Sequence, residues 1–264
     1  MSDASSASMR APEATDDRLL DGRVLLRQPA SGYRVAIDPV LLAAAVPAHA
    51  GETVLDLGCG AGAAALCLLT RVAGVRVTGL ELQPELAALA RQNAAANGRE
   101  DTFRVVEGDL LNPPSEVGLT GFDHVMANPP FLPADAGSPP PDAGRAGAQV
   151  EGRAALRDWV ETGLGFLRAR GRLTMIHRAD RLESLLGALD ARAGDIAVLP
   201  LWPAEGRPAR RVIVSARKAV AGPTRLLPGL VLHAPEGGIT SDADGILRYG
   251  RALPLEARGG DMAT

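Results

Sequence analysis

The chain has 264 residues, 46% of them hydrophobic, with a formal net charge of -3 at pH 7. That length accommodates one large α/β domain or two small ones with ample core, and the mild acidity excludes a wholesale polycationic nucleic-acid binder. Any basic surface must therefore be local.

Residues 1–17 are rich in Ser, Ala and Asp and lack a continuous apolar stretch. They read as a disordered tail, with no signal peptide or membrane span, and point to a cytoplasmic protein. Arg23–Arg27 and Ala30–Val35 read as two short strands around a turn. Asp38-Pro39 then opens a helix, the Asp as N-cap and the Pro at N1, which Val40–Val46 continue until Pro47.

Thr53–Leu57 reads as a short buried strand that breaks into Gly58-Cys59-Gly60-Ala61-Gly62, followed by a helix from Ala63 to Thr70. Glycines spaced by two let backbone approach a ligand, and small residues after them let the helix approach the sheet. Gly58, Gly60 and Ala63 also satisfy a loose dinucleotide pattern. Asp56 argues against a pyrophosphate there, because a buried acid would repel it; a cationic, amine-bearing ligand such as S-adenosylmethionine suits it better. Cys59 and Cys67 stand too close along this loop and helix to bridge, and no Cys/His cluster has metal-ligand spacing. Reduced thiols and no metal are the expectation.

A second strand, Val75–Leu80, ends at Glu81, whose carboxylate can take both hydroxyls of a ribose in either kind of nucleotide. Pro84 opens the next helix and Asn97-Gly98 closes it; the third strand, Thr102–Val106, leads to Asp109, an acid able to accept from an adenine amine. The run Phe122–Ala127 is closed by Asn128-Pro129-Pro130-Phe131. Two prolines cannot continue a strand, so backbone leaves the sheet here. The Asn amide and the carbonyls beside the prolines can accept from a planar NH2 group while Phe131 offers a face for stacking.

Pro133–Gly152 is a long Pro/Gly/Ala stretch beside that exit and reads as a lid, with Arg145 and Glu151 its notable charges. A helix from about Ala154 to Leu167, a strand Arg172–Ile176, a helix Arg181–Ala191 and two strands, Asp195–Leu201 and Arg211–Ala216, follow. Arg207, Arg210, Arg211, Arg217 and Lys218 form one basic set, and Arg168, Arg170, Arg172, Arg178 and Arg181 a second. Such clusters can neutralise phosphates on a structured RNA. None of His49, His124, His177 and His233 lies in a nucleophile motif, so each reads as structural or exposed rather than catalytic. The alternation makes one doubly wound sheet with a final antiparallel strand and ligands at the carboxyl ends near the switch point.

Taken in order, Val54–Gly62, Glu81, Asp109 and Asn128–Phe131 resemble the class I S-adenosylmethionine-dependent methyltransferases that act on planar nitrogen. Tyr33-Arg34 with Ile37-Asp38-Pro39, Ile176–Arg181, and Pro200–Pro203 through Arg211 are similar to the bacterial group that methylates adenine N6 at position 37 of valine tRNA. The resemblance covers roughly residues 20–253. It implies a seven-stranded, mostly parallel Rossmann-like sheet with its last strand antiparallel. Asp56, Gly58, Gly60, Gly62, Glu81 and Asp109 would hold S-adenosyl-L-methionine, Asn128, Pro129, Pro130 and Phe131 the target base, and Arg178, Arg207, Arg210 and Arg211 the tRNA. It also implies a metal-free monomer with a methyltransferase domain over residues 18–218 and a small appendage over 219–264. Release-factor glutamine N5 and rRNA guanine N2 methyltransferases share the motif around Asn128. An RNA-binding module with a vestigial pocket and a nicotinamide dehydrogenase are further alternatives.

Overall fold

The computed structural model describes residues 14–30, 37–118, 121–130 and 154–255. A hairpin of β1 (Ala14–Leu19) and β2 (Val24–Pro29) precedes helix α1 (Asp38–Ala45). Next come β3 (Thr53–Leu57), α2 (Ala63–Arg71), β4 (Arg76–Glu81), α3 (Pro84–Ala96), β5 (Phe103–Glu107) and β6 (Phe122–Ala127). After residue 153 the order is α4 (Leu156–Phe166), β7 (Leu167–Arg178), α5 (Leu182–Leu189), β8 (Ala193–Ala204) and β9 (Arg211–Lys218), then β10 (Arg225–Leu226), β11 (Leu230–His233) and α6 (Ser241–Leu247).

The seven expected strands lie in the order β5-β4-β3-β6-β7-β9-β8, all parallel except β9, which is antiparallel to both of its neighbours. The reversed strand is therefore last in the chain but second from the edge in space, because a short connection sends it back beside β8 and into the gap next to β7. Two short strands, β10 and β11, add to the far side of β8 in parallel, widening the sheet to nine. Chain order switches direction between β3 and β6, and the carboxyl ends of the parallel strands meet there.

Both faces of the sheet are covered, which is why β3 is buried almost continuously rather than in alternation. Val54 packs with α1, α2 and α6 on one face, whereas Leu55 and Leu57 pack with α4 and α5 on the other. Leu230, Ala243, Ile246, Leu253 and Leu255 join the first of these clusters, and the Leu253 amide donates to the Ala44 carbonyl at 2.8 Å. Residues 225–255 thus pack against the sheet and α1.

The hairpin differs from expectation. Its strands are 14–19 and 24–29 rather than 23–27 and 30–35, and β1 begins inside the stretch read as a tail. The turn uses Leu20, Asp21 and Gly22, all with positive φ, and Asp-Gly is a strong two-residue turn signal that outweighs the weaker one at Ser31-Gly32. The tail acids are strand partners: Asp16 pairs with Arg27 at 3.0 Å and Asp17 accepts from Gln28 at 2.6 Å. Tyr33 and Arg34 lie outside the described residues.

Candidate active site

At the end of β3 the chain turns through Gly58, Gly60 and Gly62, with φ of 72°, 57° and 88°. These are left-handed values that a side chain would strain. The Gly58 and Cys59 amides both donate to the Leu80 carbonyl, at 2.8 and 3.1 Å, so the loop is tied to the end of β4. Around Gly60 a Cβ would meet nothing within 4 Å, while at Gly58 it would come within 2.5 Å of the Trp159 ring and at Gly62 within 2.7 Å of Phe103. The loop is therefore packed on two sides and open at its middle glycine.

Asp56, one residue before the end of β3, is 2% exposed. Burial pushes its carboxyl from 3.8 to about 7, the Ala65 backbone amide opposes that rise, and the charge of Glu81 adds to it. Its Oδ2 is buried without a hydrogen-bond partner. Glu81 is also buried, and desolvation raises its pKa against the pull of the Gln83, Gly60 and Leu82 amides. Its Oε2 accepts from the Gly60 amide at 2.8 Å and its Oε1 from the Gln83 amide at 2.9 Å, leaving acceptor capacity on each oxygen. Asp109 is half-buried and its Oδ1 accepts from the Leu111 amide at 2.9 Å, closing a turn at the end of β5. An unpartnered buried carboxylate oxygen, a loop open at Gly60 and a second acid beside it fit an amine-bearing nucleoside cation; they do not fit a pyrophosphate.

Leu57 pairs with Ala127, and Ala127 with Met175, so Asn128-Pro129-Pro130 leaves the sheet between the glycine loop and the last residues of β7. Pro129 is buried and its two neighbours are half-buried. Phe131, Arg145 and Glu151 lie outside the described residues. His177, fully buried near the end of β7, faces this exit and interacts with the Pro130 carbonyl. Burial lowers its pKa to about 4, helped by the nearby Arg181 guanidinium, so the ring is neutral near pH 7. Among the described residues no cluster of His, Cys, Asp or Glu could hold a metal ion.

Arginines flank the same edge. Arg178 ends β7 and pairs with Asp180, Nε to Oδ1 at 2.9 Å; the Ala179 amide donates to the Arg210 carbonyl at 3.1 Å and so holds the β8–β9 connection beside it. Arg207 and Arg210 are exposed on that connection. Arg211 is different. Its Nε lies 3.1 Å from Oδ2 of the buried Asp38, which anchors β9 to the start of α1. Of the second basic set, Arg168 pairs with Asp123 at 2.6 Å, and buried Arg172 pairs with Asp195 at 3.1 Å and Ser215 at 3.2 Å. Both lie toward the start of β7, at the end of the strand away from Arg178, and the burial of Arg172 corrects its reading as a phosphate ligand.

Four residues in or behind the crevice had no strong sequence signal. His177 looked like any core histidine. Trp159 in α4 reaches Gly58 only through the fold. Asn93 in the last turn of α3 and Asn97 at its C-cap act as a surrogate strand for β2. Asn93 accepts from the Arg27 amide at 2.8 Å and donates to the Arg27 carbonyl at 2.8 Å, while Asn97 makes the same pair with Leu25 at 2.9 and 2.7 Å. Asn93 also donates to the Ala61 carbonyl at 2.9 Å, joining hairpin and glycine loop. Two amides at this spacing on an otherwise Ala-rich helix were the available clue.

Residues 31–180 match the family described as Methyltransferase small domain. A tRNA1(Val) (adenine(37)-N6)-methyltransferase of Porphyromonas gingivalis is 35% identical over 164 residues, 60% of this chain and 64% of that protein. The match therefore spans less than two thirds of the relative's length. A release factor glutamine methyltransferase of Deinococcus radiodurans is 46% identical over 81 residues, 30% of this chain and 27% of that one. Among solved structures, an Agrobacterium tumefaciens protein described as a predicted O-methyltransferase superposes with a TM-score of 0.70 at 24% identity, covering 83% of this chain and 100% of its own. That likeness establishes the fold.

Proposed function

Because the chain belongs to the methyltransferase small domain family, we propose that it transfers a methyl group from S-adenosyl-L-methionine to the N6 amine of an adenine in tRNA, position 37 of valine tRNA being the favoured target. The observation that carries this reading is the exit of Asn128-Pro129-Pro130 beside the glycine loop, within one crevice with Asp56 and Glu81. The similarity to the Porphyromonas protein, over 164 residues, supports the choice of tRNA over the release-factor alternative, whose relatives match over 81 to 116 residues.

When bound, S-adenosylmethionine supplies an electrophilic methyl group. Asp56 would meet its positive charge, Glu81 its ribose hydroxyls, and Asp109 its adenine amine. The open side of Gly60 leaves room for it. On the substrate side, the Asn128 amide and a carbonyl beside the prolines accept the two N6 hydrogens and aim the nitrogen lone pair. Because these acceptors favour a nitrogen that turns tetrahedral, part of their bonding strengthens only in the transition state. Phe131, outside the described residues, would stack on the flipped-out base. No protein base is required, since the amine sheds its proton readily after methylation, and His177 is buried and neutral beside the Pro130 carbonyl. Arg178, Arg207 and Arg210 supply local positive charge for phosphates, a contribution that a net charge of -3 does not preclude.

The test is methylation of unmodified tRNA by the purified protein, followed by mass spectrometry of the nucleosides, with release factor as a parallel substrate. N6-methyladenosine in valine tRNA is expected. Methylation of release-factor glutamine alone would overturn the reading.

A further inference from the structure

The ladder between β6 and β7 stops at Ala127 and Met175. Beyond that rung β7 runs on through Ile176, His177 and Arg178, paired with β9 on its other side. On the near side β6 gives way to Asn128-Pro129-Pro130. Two successive prolines carry carbonyls but no N–H, so this stretch cannot rebuild a ladder with β7, and its carbonyls need donors from elsewhere. Pro129 is buried and its two neighbours are half-buried, so water meets only part of that need.

His177 stands at this gap. Two places beyond Met175, it shares that residue's face of the sheet, and Val212 lies opposite it on β9. Met175 and Val212 belong to an apolar cluster that a Leu or Phe would continue without the cost of burying a polar ring. The fully buried imidazole instead meets the Pro130 carbonyl and the backbone of Arg178. Burial and the nearby Arg181 guanidinium keep the ring neutral, so it has one N–H to give. A donor without charge suits an exit beside the place of a sulfonium cation, which a buried cation would repel.

The prolines make that single contact far-reaching. Their rings lock φ at two successive residues, and each restricts the residue before it. Little freedom is left between Asn128 and Pro130, so whatever holds the Pro130 carbonyl also sets the direction of Asn128 and of the carbonyl beside it. We propose that His177 is a positioning residue for methyl transfer, its ring N–H donating to the Pro130 carbonyl and so aiming the acceptors of Asn128-Pro129 at the substrate amine. This deepens the methyltransferase reading above and rests on it.

The experiment is single-turnover methylation of unmodified valine tRNA at saturating S-adenosylmethionine, with S-adenosylhomocysteine affinity by calorimetry and tRNA affinity by filter binding. His177→Phe keeps a buried planar ring and removes the N–H. It should slow methyl transfer on the order of tenfold, the loss of one hydrogen bond, while both affinities stay at wild-type values. His177→Asn and His177→Gln place an amide NH2 near the positions of Nδ1 and Nε2, and one of them should recover most of the rate. A full rate in His177→Phe overturns the proposal. So does an equal loss in all three variants, which marks a packing defect. In the isotope-labelled wild-type chain, the NMR coupling across the hydrogen bond should run from a His177 ring nitrogen to the Pro130 carbonyl carbon. A coupling to the Arg178 carbonyl instead, or none, overturns the proposal whatever the variants do, and leaves the methyltransferase reading standing. If the wild-type chain methylates no tRNA, that reading fails and this proposal falls with it.

Discussion

Replacing Asp56 with Asn tests the electrostatics on which the cofactor assignment depends. The change keeps the shape of a side chain that is 2% exposed and removes its charge. Burial is the main reason the carboxyl is raised from 3.8 to about 7, with Glu81 adding to the rise and the Ala65 amide opposing it. A carboxyl whose pKa rises on folding binds its proton more tightly in the native than in the unfolded chain. Its contribution to stability is fully present below 3.8 and is lost as pH climbs to about 7. Between pH 5 and pH 8 the wild-type chain should lose on the order of 2–3 kcal/mol from this group. Asp56→Asn has no such proton to lose. The amide nitrogen replaces the protonated oxygen as an unpartnered donor, so their cost largely cancels at pH 5 and the difference emerges at pH 8. Urea denaturation of both proteins at the two pH values measures it, and titrating groups that do not interact with Asp56 drop out of the double difference, whereas Glu81, coupled to it, contributes to the result. A positively charged ligand should relieve the same penalty in the wild type, so S-adenosylmethionine binding at pH 6 should release protons, and Asp56→Asn should bind more than tenfold more weakly. Parallel stability curves for the two proteins from pH 5 to pH 8 would refute the reasoning.

Four further changes probe the rest of the site and its supports. Asn128→Ala should lower single-turnover methylation by on the order of 10²-fold, the size of one preorganised catalytic contact, with melting temperature and cofactor affinity nearly unchanged; near-normal methylation would remove Asn128 from the chemistry. Arg207→Ala with Arg210→Ala should weaken tRNA binding and flatten its log–log salt dependence by roughly one to two, measured by filter binding across salt. Arg211→Ala should instead lower the melting temperature, because it strands the buried carboxylate of Asp38. Asn93→Ala should cost about 2–4 kcal/mol by removing three hydrogen bonds and leaving buried backbone groups unmet, read by urea denaturation. Unchanged stability would mean that Asn97 alone holds the hairpin.

The order and type of strands and helices through the first half of the sheet, and the acids and glycines at their ends, were legible in the sequence alone. These are local matters. A glycine at positive φ, a proline that cannot extend a ladder and a short apolar run ending in an acid each state their conformation within a few residues. The likeness of those residues to a methyltransferase pattern was legible for the same reason. What the tertiary structure decided depends on partners far apart in the chain. Arg211 looked equivalent to Arg210 until the fold set it against Asp38, 173 positions away, and made it an anchor. Arg172 looked like a phosphate ligand until the fold buried it against Ser215 and Asp195. The placement of β9 between β7 and β8 follows from which edge accepts a returning strand, and hydrophobic periodicity carries no information about that choice. Trp159 meets Gly58 only because α4 folds back beside the end of β3, and nothing near either residue in the sequence announces that contact.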